Sequence, residues 1–165
     1  MEQLKEYISL CWLKGDLDEM PESMPLFRNA LIFYTVVAVF LQINVKGFIE
    51  AFIEVGIEIV LTFLFVSILL FFTKAMDQFW RVLTAYFICQ DFILIFSVPL
   101  LIWVTISEDA WAYYTLSIIM IWVISVFAYI NNQIITSGSF VSTMLSLGYF
   151  VTVYGGGFLL LLVFL

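Results

Sequence analysis

Long, continuous runs of apolar residues alternate with short polar connections along most of the chain. Each run has about the length that crosses a bilayer, since about 20 helical residues span about 30 Å of hydrocarbon. Polar residues do not recur at every second position within the runs, which disfavours a β-barrel. The pattern predicts an all-α membrane protein, a five-helix transmembrane bundle. Its predicted spans are Leu26 to Ile43, Ile53 to Phe72, Val82 to Ile106, Ala110 to Ile135 and Phe140 to Leu165.

The first 25 residues form the one segment with the polarity of a soluble protein. Its apolar positions have helical spacing and predict a short N-terminal amphipathic helix that lies on the membrane surface. Gly15 is expected to end this helix, and a turn-rich linker follows to Pro25. We therefore divide the chain into a cytoplasmic helix and linker, 1–25, and a transmembrane domain, 26–165. The apolar positions of the helix are Leu4, Ile8, Cys11 and Trp12.

Composition supports lipid as the solvent of this chain. Of the 165 residues, 64% are hydrophobic and 12% are charged, about half the charged fraction that is usual in globular proteins. A soluble chain of this length buries only about 70% of its surface on folding. Too many apolar side chains would then face water, so the bilayer itself is the first predicted partner.

Several classes of chemistry are excluded or disfavoured by residue content. The chain has no histidine, which excludes histidine general bases, histidine metal sites and histidine-dependent triads. A net charge of -7 does not favour nucleic acid as a partner, because phosphate recognition depends on Lys and Arg. We find no motif for nucleophilic catalysis, phosphate binding or a metal cage. The sequence therefore predicts neither an enzyme nor a cofactor. Cys11 and Cys89 are expected to be free thiols, one cytoplasmic and one intramembrane.

The basic residues predict the orientation. Cytoplasmic ends of spans carry an excess of Lys and Arg. With the N-terminus inside, one basic residue, Lys46, falls on the far side. The prediction is a cytoplasmic N-terminus and a C-terminus across the membrane. The basic residues on the predicted cytoplasmic side are Lys5, Lys14, Arg28, Lys74 and Arg81.

Asp91, which follows Gln90, is the sharpest candidate for function. It lies near the middle of the third predicted span, where a carboxylate costs about 2.5 kcal/mol or more unless it is protonated, hydrated or paired. Two interpretations stay open. Asp91 is a proton or cation relay, or it is a neutral acid hydrogen-bonded to a polar side chain of a neighbouring helix.

Three glutamates, Glu50, Glu54 and Glu58, recur every four residues and line one stripe at the outer end of the second span. The stripe is either a cation-attracting vestibule or partner contact, or a solvated face on which Lys46 reaches Glu50. Glu58 differs from the other two. It is expected inside the hydrocarbon edge, so it must face protein or water.

Other polar and small residues predict helix packing. Pro99 interrupts the third span and predicts a kink near Ser97. The polar residues at 131–133 either line a polar opening or cap the fourth helix. The fifth span is rich in small residues, which favour close helix contacts. These packing candidates are Ser142, Ser146, Gly148, Gly155, Gly156 and Gly157.

Two segments carry a resemblance to a known family. Lys14 to Met24, KGDLDEMPESM, followed by LFRNAL, resembles the stretch before the first span of small proteobacterial membrane proteins related to the Yip (Ypt-interacting protein) family; Asp16 stands where that stretch has Pro. Phe79 to Tyr86, FWRVLTAY, is similar to a stretch that opens a span in Yip-type domains. The resemblance implies a five-span bundle in the bacterial inner membrane with a cytoplasmic N-terminus. Eukaryotic members resemble adaptors for Rab GTPases, a function that we do not carry over.

Three functions remain open from the sequence, and the third of them is a lipid-handling role with lipid in a groove beside Pro99. The leading hypothesis is a non-enzymatic inner-membrane scaffold or accessory subunit, which associates with other membrane proteins or with itself. The alternative is a proton- or cation-conducting channel or transporter subunit that uses Asp91 and Glu58.

Overall fold

The computed structural model describes residues 2–107, 110–135 and 138–164, and this part of the chain is almost entirely helical. Five helical segments are long and apolar enough to cross a membrane, which confirms the predicted all-α bundle and identifies a multi-pass membrane protein. Residues 108, 109, 136, 137 and 165, which the predicted connections and last span include, lie outside the described residues. The helices are α1 Glu2–Cys11, α2 Met24–Ile43, α3 Phe48–Thr73, α4 Phe79–Ile106, α5 Ala110–Ile134, α6 Ser139–Phe150 and α7 Gly156–Phe164.

Two spans begin at least three residues earlier than their hydropathy predicted. Helix α3 begins at Phe48 instead of Ile53, and α4 begins at Phe79 instead of Val82. Hydropathy marks the part of a helix that lies in hydrocarbon, whereas the backbone hydrogen bonds continue into the polar region. Lys74 ends α3 in the left-handed conformation, with φ 58°.

The fifth span contains a change of helical pitch that the sequence analysis did not predict. Helix α6 continues into a π-helical turn, Val151–Gly155, and then into α7. Such turns insert one extra residue into the helix and often mark functional sites. Helix α4, in contrast, continues through Pro99 as one helix, and the Ser97 hydroxyl donates to the Ile93 carbonyl oxygen at 2.9 Å.

Helix α4 lies at the centre of the bundle. It packs against α1, α2, α3 and α5, while α5 packs against α6 and α3 packs against α7. Every residue from 82 to 90 is buried. This stretch therefore meets neighbours all round, as a fully buried helix requires.

The N-terminal segment is packed into the bundle by a face that includes part of the predicted one and extends to Tyr7 and Leu10. Tyr7, Leu10 and Cys11 are fully buried, whereas Leu4 is 41% exposed and Trp12 is 57% exposed. Positions three and four residues apart share a helix face, and the face that contacts α4 and α5 is this one. Residues 2–23, α1 with the segment after it, are called the N-terminal cap below.

The N-terminal cap is attached by hydrogen bonds from the helices beneath it. The Gln133 amide accepts from the Leu17 N–H at 2.6 Å, and the Tyr129 hydroxyl donates to the Gly15 carbonyl oxygen at 2.8 Å. Burial raises the pKa of Tyr7 to about 12, so its hydroxyl stays protonated at neutral pH and donates to the Pro21 carbonyl oxygen at 2.9 Å. The segment predicted as a turn-rich linker is thus an ordered covering of one end of the bundle.

Candidate functional site

Buried polar side chains from five helices meet inside the bundle, and we call them the polar core. They fall into three hydrogen-bonded groups, one around Glu58, one around Tyr149 and one around Asn131. Edge-on packing of the Tyr86 and Tyr149 rings, 5.2 Å between centroids, joins the last two groups. The members of the polar core are Tyr34, Glu58, Thr62, Tyr86, Gln90, Asn131, Ser142, Ser146 and Tyr149.

Glu58 is buried, with 4% of its surface exposed, and both carboxylate oxygens have partners from α2. The Tyr34 hydroxyl donates to Oε2 at 3.0 Å, and the Gln42 amide donates to Oε1 at 3.1 Å. The helix of the fifth span approaches Glu58 closely, since a Cβ added to Gly157 would lie 3.4 Å from Cγ of Glu58. The structure therefore places Glu58 against protein.

Tyr149 connects three helices next to this carboxylate. Its hydroxyl lies 3.1 Å from the Thr62 hydroxyl of α3 and accepts from the Gln90 amide of α4 at 2.6 Å. The Thr62 hydroxyl also donates to the backbone carbonyl oxygen of Glu58 at 2.9 Å. Gln90 thus faces the polar core, whereas the next residue, Asp91, faces elsewhere.

Asn131 is fully buried and joins α5 to α4 and α6. Its Oδ1 accepts from the Tyr86 hydroxyl at 2.6 Å, and its Nδ2 donates to the Ser146 hydroxyl at 3.1 Å. The next residue, Asn132, is exposed and accepts from the Ser142 hydroxyl at 3.3 Å. The polar residues at 131–133 therefore line no common opening and form no simple cap.

The glutamates of the acidic stripe of α3 lie in different environments. Lys46 forms an ion pair with Glu54, which is buried, and not with Glu50 as expected. The expected spacing of four holds only within a helix, but α3 begins after Gly47, so Lys46 is free to reach further along the helix. The prediction that Glu54 belongs to a solvated face is therefore corrected. Glu50 is half-buried.

Some small residues of the fifth span pack within the chain, and others have open space beside them. Ser142 and Ser146 are fully buried, and Gly156 and Gly157 pack against α3. A Cβ added to Gly148 or Gly155 would meet no atom within 4 Å among the described residues. These two glycines are not close-contact positions within the chain, which corrects that part of the packing prediction.

Asp91 lies beside a cavity of about 400 Å³ between α1, α2 and α4. The residue is 8% exposed, and its Oδ1 has no hydrogen-bond partner among the described residues. The expected hydrogen bond to a neighbouring helix is therefore absent for this oxygen. Leu4 and Ile8 of α1 line the same cavity.

The position of α1 changes the depth expected for Asp91. Lys5 and Glu6 of α1 are exposed, and a helix that carries exposed charges is stable in the headgroup region and costly in hydrocarbon. Helix α4 is also long, since its 28 residues span about 42 Å at 1.5 Å per residue. Asp91 lies near the middle of α4, and the exposed charges of α1 beside it favour a place near the headgroup boundary.

The two cysteines are adjacent, although the sequence predicted them in different environments. Cys11 Sγ lies 3.2 Å from Cys89 Sγ, and both thiols are free and fully buried. The expectation that the two thiols lie in different environments is wrong because α1 is packed into the bundle beside α4. Among the described residues, no group of three or more metal-ligating side chains is present.

Sequence reasoning missed the tyrosines of the polar core. Tyr34, Tyr86 and Tyr149 lie inside apolar runs, where an aromatic residue reads as part of the hydrophobic pattern. For Tyr34 and Tyr149 the available signal was their distance from the span ends, because tyrosines of an interfacial belt lie near those ends. Tyr86 lies four residues after the predicted start at Val82 and gave no such signal. A tyrosine deep in a span must find a partner for its hydroxyl within the protein.

Comparison of the chain with protein-family models, with curated proteins and with solved structures finds no match. The resemblance to Yip-type domains therefore stays a prediction. What stands from the structure is a multi-pass helical membrane protein with a directly bonded polar core, a packed N-terminal cap and a separate cavity beside Asp91.

Proposed function

We propose that the protein is a non-enzymatic scaffold or accessory subunit of a membrane complex. One observation carries this proposal, namely that side chains of the polar core hydrogen-bond directly to one another across helices. Buried polar contacts of this kind join transmembrane helices to one another. They favour a rigid body that holds partners over a protein that moves a substrate.

Two glycines of the fifth span that have open space beside them support association with another membrane helix. Gly148 and Gly155 both belong to this span, and the space where their Cβ atoms would lie is open. Small residues on a lipid-facing surface allow another helix to approach closely. We propose that a second membrane helix, from a partner or from another copy, packs at this surface.

The test is purification in a mild detergent, followed by cross-linking and mass determination. A scaffold is expected to give a stable complex with itself or with another membrane protein. A strictly solitary monomer contradicts the proposal.

Variants locate the association surface. Gly148→Leu and Gly155→Leu should weaken the complex without unfolding the chain, because a Cβ atom at either position meets no atom within 4 Å among the described residues. Gly56→Leu is the matched control, since Gly56 is an exposed glycine of α3 with the same open surroundings. If Gly56→Leu disrupts the complex and the other two do not, the surface is misassigned.

A second candidate function, proton or cation conduction, is favoured by the buried carboxylate of Glu58. From the backbone carbonyl oxygen of the same residue, further hydrogen bonds lead through Thr62 and Tyr149 to Gln90. Purified protein in liposomes would then show a pH-dependent flux. Conduction through Glu58 predicts loss of this flux in Glu58→Gln and its retention in Asp91→Asn, since Asp91 faces the separate cavity. Equal flux in wild type and protein-free vesicles removes this candidate.

A further inference from the structure

The cavity beside Asp91 has the composition of a lipid site with a single polar anchor. Its walls are apolar side chains of α1, α2 and α4, among them Leu4, Leu26 and Phe92. Asp91 and Asn29 are the two polar residues that line it. Its volume of about 400 Å³ falls within the range of small-ligand sites, which combine apolar walls with few polar groups.

The cavity opens on the outer surface of the bundle. Phe33 is 43% exposed and Ile95 is 53% exposed, and both line it. The exposed charges of α1 place its neighbourhood at the headgroup boundary. A phospholipid in the surrounding leaflet can therefore enter with its headgroup at this level and an acyl chain along the apolar wall.

Asp91 selects the chemistry of the headgroup. The residue is 8% exposed, its buried Oδ1 has no hydrogen-bond partner, and no ion pair involves the carboxyl among the described residues. A buried acceptor without a partner is costly, and a charge-assisted hydrogen bond is the strongest way to satisfy a carboxylate. A primary ammonium group supplies both the positive charge and N–H donors.

We propose that this cavity binds an aminophospholipid, with its primary ammonium group donating to the Asp91 carboxylate and one acyl chain between α1, α2 and α4. Asn29, exposed at the rim, is placed to donate to the lipid phosphate. This proposal does not depend on the scaffold function.

The experiment is native mass spectrometry of the full chain, delipidated in detergent and titrated with lipids of identical acyl chains. Dioleoylphosphatidylethanolamine should bind at least about tenfold more tightly than dioleoylphosphatidylcholine, whose quaternary ammonium has no N–H to donate. Asp91→Asn should reduce the affinity for the ethanolamine lipid to that for the choline lipid. Glu50→Gln, which removes a negative charge from α3 outside the cavity, should leave the preference unchanged.

Ala30→Leu provides a second variant that keeps the carboxyl. Ala30 lines the cavity, so a larger side chain should fill it and weaken the binding of both lipids. The proposal is overturned if wild type binds the two lipids equally, if Asp91→Asn keeps the preference, or if dioleoylglycerol binds as tightly as the ethanolamine lipid. Unchanged binding by Ala30→Leu also overturns it. Circular dichroism of each variant establishes that the helices are intact.

Discussion

Replacement of Asn131 by leucine removes the amide that joins α5 to α4 and α6. Two hydrogen bonds are lost, one from Tyr86 at 2.6 Å and one to Ser146 at 3.1 Å. Hydrogen bonds between membrane helices contribute about 0.6 kcal/mol each on average. The Tyr86 hydroxyl, fully buried, is also left without its acceptor, which costs about 1–3 kcal/mol. We expect Asn131→Leu to lower the free energy of unfolding by about 2 kcal/mol or more.

The assay is equilibrium unfolding in mixed micelles, followed by tryptophan fluorescence. Tyr86→Phe in the Asn131→Leu background removes the hydroxyl that has lost its acceptor. The double variant should therefore lose about 1 kcal/mol less free energy of unfolding than the two single variants lose together. Asn132→Leu is the matched control, because Asn132 is exposed and takes part in one longer hydrogen bond. Its effect should stay within about 0.5 kcal/mol.

Two results would refute this reasoning about the polar core. One is an equal loss of stability for Asn131→Leu and Asn132→Leu, because the buried hydrogen bonds would then add nothing. The other is strict additivity of the Tyr86 and Asn131 changes, which would mean that the two side chains do not interact in the folded state.

Three further predictions test the other contacts. Oxidation by copper phenanthroline should join Cys11 to Cys89, whose sulfur atoms lie 3.2 Å apart; thiols that both remain open to alkylation after oxidation would show that α1 is not packed beside α4. Gln133→Leu should speed amide hydrogen exchange in the N-terminal cap, since the two hydrogen bonds between Gln133 and the cap are lost. Unchanged exchange would show that Gln133 does not hold the cap on the bundle. Glu54→Gln should lower the free energy of unfolding by about 1 kcal/mol or more because it leaves a partly buried lysine unpaired, and an equal effect of Glu50→Gln would refute this pairing.

The number and approximate limits of the spans could be predicted because hydrocarbon imposes one strong condition. Every residue within it must be apolar or have a partner in the protein. The early start of α3 at Phe48 could not be predicted in this way. Beyond the hydrocarbon edge a helix depends on local backbone bonding, which hydropathy does not measure.

Side-chain partners were harder to predict than spans. The depth of Glu58 within its span indicated that it faces protein or water, but its partners Tyr34 and Gln42 depend on how α2 and α3 pack. The same holds for the buried face of α1. The predicted stripe included Cys11, which meets α4, but the burial of Tyr7 and Leu10 beside it depends on tertiary packing.

The central claim is that the chain crosses the membrane five times, and the side of the membrane on which each chain end lies tests this claim directly. Reporter domains fused to the N-terminus or the C-terminus, together with protease protection in sealed vesicles, report the side of each end. Five crossings predict that the two ends lie on opposite sides of the membrane. Finding both ends on the same side would contradict the account.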